Sequence, residues 1–179
     1  MADALPCPIL IDEAYADFAG VSCVDLVAEN EQILISRTLS KSYALAGMRF
    51  GYLVAQPQII KQLLKVKDSY NCDALSIAGA TAAIADQEWL VQNVAKIRST
   101  RERMSQQLEA VGFDVTPSSA NFIWCRHRER SSQDLYRLLK QNQLLVRYMN
   151  FDQWGDGIRI TVGTDDQLDA LITILNSIL

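Results

Sequence analysis

The sequence predicts an α/β layer followed by an α+β lobe, and three observations carry that expectation. Two short apolar runs each end in a polar residue: Ile9-Leu10-Ile11-Asp12 and, 24 positions on, Ile33-Leu34-Ile35-Ser36. The stretch from Ser76 to about Ala110 contains no proline and only Gly79 among glycines, which suits long helix. After Gly112 the texture changes to short extended runs alternating with helical ones.

The elements follow in order. Ile9–Asp12 and Ile33–Ser36 read as buried strands with a polar residue at the carboxyl end, and Phe50–Ala55 as a third strand. Gln56-Pro57 then opens a helix, because Ile59, Ile60, Leu63, Leu64 and Val66 fall at helical spacing behind a proline that suits a first turn. Ile84, Leu90, Val94, Ile97, Met104 and Leu108 recur helically, as one long helix or two in succession. Beyond them stand an extended Phe113-Asp114-Val115, a turn at Pro117-Ser118-Ser119, a strand from Asn121 to Cys125 and a helix from about Ser132 to Gln143. Val146 and Arg147 start another extended stretch, Gly157–Val162 alternates as a strand, and Asp165–Leu179 is an amphipathic helix with Thr164 as N-cap. The boundary between the two parts is expected inside the long helical stretch, giving residues 1–85 and 86–179.

Composition narrows the function classes. With 179 residues, 49% hydrophobic and 21% charged, the chain is long enough to bury a core without disulfides or a structural metal. Its 17 basic and 21 acidic side chains leave a net charge of −4, which lacks the single-sign field that nucleic acid or anionic membranes attract. Cys7, Cys23, Cys72 and Cys125 form no C-x-x-C pair, and one histidine cannot complete a zinc site, so the thiols read as reduced and no metal is expected. Asp3 stands where a signal peptide carries cations, and no apolar run approaches a membrane span. A cytoplasmic protein is expected.

Chemistry concentrates at the ends of the first two strands. Asp12-Glu13-Ala14-Tyr15 closes one, Ser36-Arg37-Thr38-Leu39-Ser40-Lys41 closes the other, and Arg49 follows eight residues after Lys41. Strand ends in an α/β sheet lie side by side, so a carboxylate, a phenol, hydroxyls, an amine and a guanidinium can line one crevice. Pyridoxal phosphate would use each of them. It needs a lysine for its aldehyde and an acid to keep its ring nitrogen protonated, which Lys41 and Asp12 can supply. Tyr15 could hydrogen-bond the ring oxygen, and Ser40 and Arg49 could hold the phosphate.

Five segments then bring a family into view. Asp12-Glu13-Ala14-Tyr15, Thr38-Leu39-Ser40-Lys41, Leu45-Ala46-Gly47-Met48-Arg49-Phe50-Gly51-Tyr52, Ser119-Ala120-Asn121-Phe122 and Arg159-Ile160-Thr161-Val162-Gly163-Thr164 occur in one order along the chain. Together they resemble the fold-type I, pyridoxal-phosphate-dependent aminotransferases of the histidinol-phosphate aminotransferase group. The resemblance runs from about Ile9 to the C-terminus. It implies that Lys41 joins the cofactor and moves the proton during reaction, that Asp12 pairs with the ring nitrogen and Tyr15 with the ring oxygen, and that Ser40 and Arg49 hold the phosphate. By the same resemblance Arg159 would grip the substrate carboxylate, while Tyr70 and Arg147 would contact the phosphate of histidinol phosphate.

The implied fold is a partial PLP-transferase large-domain sheet followed by an α+β small C-terminal domain. Residues 1–85 would be the C-terminal part of the cofactor-binding domain. Family members are roughly twice this length, as suits a two-lobed enzyme. The implied partners are an amino-acid or amino-phosphate substrate, an oxo acid, and a second copy of the chain in a homodimer or other self-association. The rivals are a phosphothreonine decarboxylase or aromatic aminotransferase of the same fold, and a catalytically silent interaction module.

Blander readings stand beside these. Tyr70 would pack at a helix end and Arg147 would be a surface charge. Arg159, alternating with Ile158 and Ile160, would face solvent from a half-buried strand. His127 would sit in a solvated charged loop, Arg126-His127-Arg128-Glu129-Arg130. Trp89, Trp124 and Trp154 would anchor core or interface. Glu13 would face away from Asp12, which argues against a carboxylate pair.

Overall fold

The β-rich start of the chain folds around three strands in a computed structural model that describes residues 5–153 and 155–179. Trp154 therefore lies outside the described residues, as do residues 1–4. Strand β1 is Ile9–Asp12, β2 is Ile33–Thr38 and β3 is Gly51–Val54. β1 and β2 run parallel with Asp12 beside Ser36, and β3 returns antiparallel with Gly51 beside Thr38. The crossover from β1 to β2 carries two single-turn helices, α1 (Ala16–Ala19) and α2 (Leu26–Glu29). Val27, Ile33 and Ile35 are buried together, with Ile11, Cys23 and Val54 against them.

β1 is not a buried strand: its residues alternate, and Leu10 is 59% exposed. Apolar runs signal burial on both faces only where both faces are covered, and one face of β1 is open. β2 does match the buried reading at Ile33, Leu34 and Ile35, and it continues two residues past Ser36 to Thr38.

A 3-10 turn at Ala46–Met48 leads into β3, and α3 (Pro57–Val66) and α4 (Ala74–Ala85) follow. Asp73 caps α4 by accepting the Ser76 N–H at 2.9 Å, and the Ser76 hydroxyl donates to the Met48 carbonyl at 3.0 Å. Gly79 allows this approach, because a Cβ there would lie 2.6 Å from the Met48 methyl. The long helical stretch is two helices. Asp86 separates α4 from α5 (Gln87–Ala110), and its carboxylate accepts the Trp89 N–H at 3.1 Å, an N-cap that restarts the helix.

The chain divides into two compact units between Gln92 and Asn93, within α5. The second unit is built on a four-stranded antiparallel sheet of order β4-β5-β7-β6. Its strands are β4 (Phe113–Thr116), β5 (Phe122–His127), β6 (Arg147–Phe151) and β7 (Gly155–Thr161), with α6 (Ser132–Gln141) and α7 (Asp165–Ile178). One core gathers Met104 and Leu108 of α5, Phe113, Ile123, Cys125, Ile158 and Ile160 of the sheet, Leu135 and Leu139 of α6, and Leu168, Leu171 and Leu175 of α7. Thr164 does cap α7, in a capping box with Gln167.

His127 departs from the solvated-loop expectation. It ends β5 with its ring edge-on to Phe113 at 5.0 Å, and its Nδ1 accepts the N–H groups of Glu129 and Arg130 at 3.1 Å. That fixes the proton on Nε2, which donates to the Val111 carbonyl at 3.2 Å. Gly112, at φ 93°, leaves room for the ring.

Candidate active site

In the first unit the parallel register of β1 and β2 decides what meets what. Asp12 ends β1 exposed, and its Oδ1 accepts the Ser36 hydroxyl at 3.3 Å and the Ala14 N–H at 3.0 Å. β2 continues to Thr38, whose Oγ1 accepts the Ser40 N–H at 3.1 Å and starts the loop that carries Ser40 and Lys41. The Lys41 amine stands 5.5 Å from the ring centroid of Tyr15, close enough for a cation–π contact. Asp12 and Tyr15 thus come from the end of one strand, and Ser40 and Lys41 from beyond the end of its neighbour.

The loop is anchored from below. Leu39 is fully buried, donates its N–H to the Phe50 carbonyl at 3.1 Å and accepts the Leu45 N–H at 3.0 Å. Ala44 at φ 56° and Arg49 at φ 52° both take the left-handed conformation, which side-chain-bearing residues adopt at a cost. Arg49 is exposed, and its guanidinium donates to the Ala46 carbonyl at 3.0 Å. Because Phe50 hydrogen-bonds Leu39, Arg49 enters β3 alongside the Ser40–Lys41 loop.

Tyr70 corrects the packing expectation. It is 85% exposed, on the turn after α3, with its N–H donated to Asp68 Oδ1 at 3.1 Å. Among the described residues no hydrogen bond or ring contact joins it to Asp12, Tyr15, Ser40 or Lys41.

Interleaved with those residues in sequence is a charged network. Glu13 faces away from Asp12, as expected, and is buried. It accepts the Ser22 hydroxyl, the Cys23 N–H and the Arg37 Nε, the last at 2.9 Å. Arg37 also donates to Asp17 Oδ1 at 3.1 Å, and the other Asp17 oxygen accepts the hydroxyl of buried Ser42. Burial pushes the Glu13 carboxyl up, but the Cys23 N–H, Ser22 and Arg37 outweigh it and hold it below the usual range. Arg37 is lowered by burial and raised by Glu13 and Asp17, with a net rise. Burial also lifts the phenol of Tyr52, the residue opposite Arg37 on β3.

In the second unit two guanidinium-bearing residues are cross-strand partners. Arg147 on β6 and Arg159 on β7 stand directly opposite one another. Arg147 is exposed, as its bland reading has it. Arg159 is half-buried on the sheet face away from Ile158 and Ile160, with its guanidinium 5.1 Å from the Phe122 ring centroid. Its Nε is buried and has no hydrogen-bond acceptor among the described residues. Like charges directly opposed on a sheet are destabilising, and a buried donor without an acceptor costs free energy. Trp124 lies opposite Arg159 on β5, over Gly157, where a Cβ would come 2.7 Å from the indole Cε2.

A family model described as aminotransferase class I and II matches residues 1–175. The chain belongs to that family. It is 59% identical over 175 residues to the histidinol-phosphate aminotransferase of Rhodopirellula baltica, covering 98% of this chain and 48% of the relative. The Synechocystis histidinol-phosphate aminotransferase is 45% identical over 170 residues, covering 95% of this chain and 49% of the relative. Among solved structures, the histidinol-phosphate aminotransferase of Sinorhizobium meliloti in complex with pyridoxal 5'-phosphate is similar at a TM-score of 0.85 and 26% identity, over 99% of this chain and 52% of that one. The chain spans about half the length of the curated relatives it matches.

Within this class I and II aminotransferase chain, sequence reasoning missed Arg37, Asp17, Ser22 and Ser42. One signal pointed to them. The 24-residue offset that sets Asp12 beside Ser36 also sets Glu13 beside Arg37.

Proposed function

We propose that this chain is the cofactor-anchoring half of a pyridoxal-phosphate-dependent histidinol-phosphate aminotransferase. The observation that carries the reading is the strand-end cluster, in which Asp12, Tyr15, Ser40 and Lys41 are brought to neighbouring strand termini by the β1–β2 register. The names and identities of the relatives favour amino transfer over the decarboxylase reading.

The donor set fits the cofactor. Asp12 would hold the protonated ring nitrogen, Tyr15 the ring oxygen, and Ser40 and Arg49 the phosphate, with Lys41 taking the aldehyde carbon. When bound, pyridoxal phosphate supplies an electron sink for the substrate carbon. The residues do the rest. Lys41 Nζ would take up and hold the proton of the substrate carbon that bears the amino group. In the second unit Arg159 would bind the substrate carboxylate or oxyanion. Arg147, its partner across the ladder, would bind the substrate phosphate. The substrates are an amino donor and an oxo partner, histidinol phosphate and an oxo acid in our reading.

The pocket of a whole enzyme also draws on sequence equivalent to the other half of the relatives, so this chain alone should bind cofactor weakly and turn over slowly. We further place it in the cytoplasm as a homodimer. Among the described residues no helix is long and apolar enough to cross a membrane. Exposed Leu10, Val21, Leu64, Val66 and Leu75 support self-association.

The test is cofactor trapping. The Lys41 amine condenses with the cofactor aldehyde, releasing water, and hydride from borohydride fixes the bond. Peptide mapping should then find the pyridoxyl group concentrated on Lys41. Label scattered over surface lysines refutes the site, and release of carbon dioxide as the main reaction by a reconstituted enzyme refutes amino transfer.

A further inference from the structure

The residues that follow Asp12 and Lys41, on which the proposed chemistry depends, are joined by a continuous path of side-chain hydrogen bonds that the motif reading does not include. Ser42, next to Lys41, is 1% exposed and donates its hydroxyl to Asp17. Asp17 accepts Arg37 Nη1 at 3.1 Å. The same guanidinium reaches Glu13 through Nη2 at 2.7 Å and through Nε at 2.9 Å, and its Nη2 also donates to Ser22 at 2.9 Å. Glu13 adjoins Asp12, and its backbone N–H donates to the Ser36 carbonyl at 2.9 Å. The path therefore runs from the residue after Lys41 to the residue after Asp12.

The choice of side chains suits that task. A guanidinium is planar and carries five donors in a fixed fork, so it can bind two carboxylates at once and fix the angle between them. Two buried or half-buried carboxylates on one cation form a closed set, with the donors of Ser22, Cys23 and Ser42 filling remaining lone pairs. α1, the element that carries Asp17, is a single turn whose N-cap makes no side-chain cap bond. Ladder hydrogen bonds hold β1 to β2, but Lys41 lies past the end of the ladder.

We infer that Arg37 is a positioning residue that holds the Lys41 loop in register with the Asp12 strand end, acting through Asp17 and Ser42 on one side and Glu13 on the other. Its link to catalysis rests on the proposed cofactor site, but its effect on the loop is measurable without any cofactor.

The experiment uses the 179-residue chain. Arg37→Met, Arg37→Lys, Asp17→Asn and Ser42→Ala are compared with the parent by amide hydrogen exchange without cofactor. After loading with pyridoxal phosphate, the same set is compared by visible absorption and by the share of borohydride-fixed label on Lys41. Losing a charge-assisted bond should speed exchange of the Leu39–Leu45 amides by about tenfold or more while Ile33–Ile35 stays protected, and should lower the Lys41-borne absorption by a similar factor. Arg37→Lys keeps the charge without the fork and should recover only part of both signals. A purely structural Arg37 would move the melting temperature and leave the absorption of the loaded, folded protein at parent strength.

Parent-rate exchange at Leu39–Leu45 in Arg37→Met overturns the inference. Should that variant fail to fold, Asp17→Asn and Ser42→Ala, which leave the Arg37–Glu13 pair intact, decide it by the same criterion. If the parent chain itself fails to gather label on Lys41, the cofactor reading falls, and the exchange result still decides whether Arg37 holds the loop.

Discussion

Replacing Arg147 by glutamate should make the ligand-free protein more stable and abolish the anion binding proposed for that face. Arg147 and Arg159 face each other across β6 and β7. Directly opposed strand residues have Cβ atoms ~5 Å apart, and a like-charged pair there costs roughly 0.2–1 kcal/mol. Arg147→Glu turns that repulsion into attraction and offers the orphaned Arg159 Nε an acceptor, so the gain is about 1 kcal/mol. For a unit of this size that is a rise of roughly 4–8 °C in melting temperature. Because Arg147 is exposed, the rise should shrink in about 1 M salt, where screening acts within ~3 Å. Scanning calorimetry reads the melting temperature, with Arg147→Gln expected midway. Inorganic phosphate should stabilise the parent by mass action and should not stabilise Arg147→Glu. A variant that melts at or below the parent temperature without ligand, or that phosphate still stabilises, would refute the idea that this face is held open for an anion.

Three more outcomes can be checked. Burial pushes the Cys125 thiol up to about 12, so a thiol reagent at neutral pH should modify exposed Cys7 and Cys72 in the native protein and reach Cys125 only on unfolding. The Glu13 carboxyl is lowered in the native state, so its contribution is complete above the ordinary glutamate value and is lost as pH falls through the lowered one. Urea midpoints should therefore decline below about pH 4.3, and Glu13→Gln should be less stable at neutral pH but show a flatter decline. Gly157→Ala would press a methyl group into the Trp124 ring and should cost about 1–3 kcal/mol in chemical denaturation, with a shifted tryptophan emission.

Much of the fold can be read from local pattern. The apolar runs at Ile9 and Ile33, the proline at the start of α3, the capping residue Thr164 and the helical periodicity around Met104 and Leu108 each mark an element through its own chemistry. What escapes is whatever depends on a neighbour distant in sequence. An apolar run does not say which of its faces is covered, so the exposure of Leu10 is invisible until β1 is seen with one face open. His127 is hidden among four charged residues, and only its approach to Gly112 and Phe113 makes it a packed residue.

The site divides the same way. Asp12, Ser40 and Lys41 stand out because reactive groups at strand ends are chemically conspicuous. Arg37 lies inside a strand, where its type alone suggests only a solvated face. Its role emerges once register sets it beside Glu13 and a half-turn brings Asp17 within reach.

The placement of Trp124 has a practical side. Its indole shares a sheet face with Arg159 and lies directly across the ladder from it. The arrival of a charged guest on that face should therefore perturb an intrinsic chromophore, so occupancy can be followed optically with no dye or isotopic tag, once Trp89 and Trp154 have been silenced by phenylalanine.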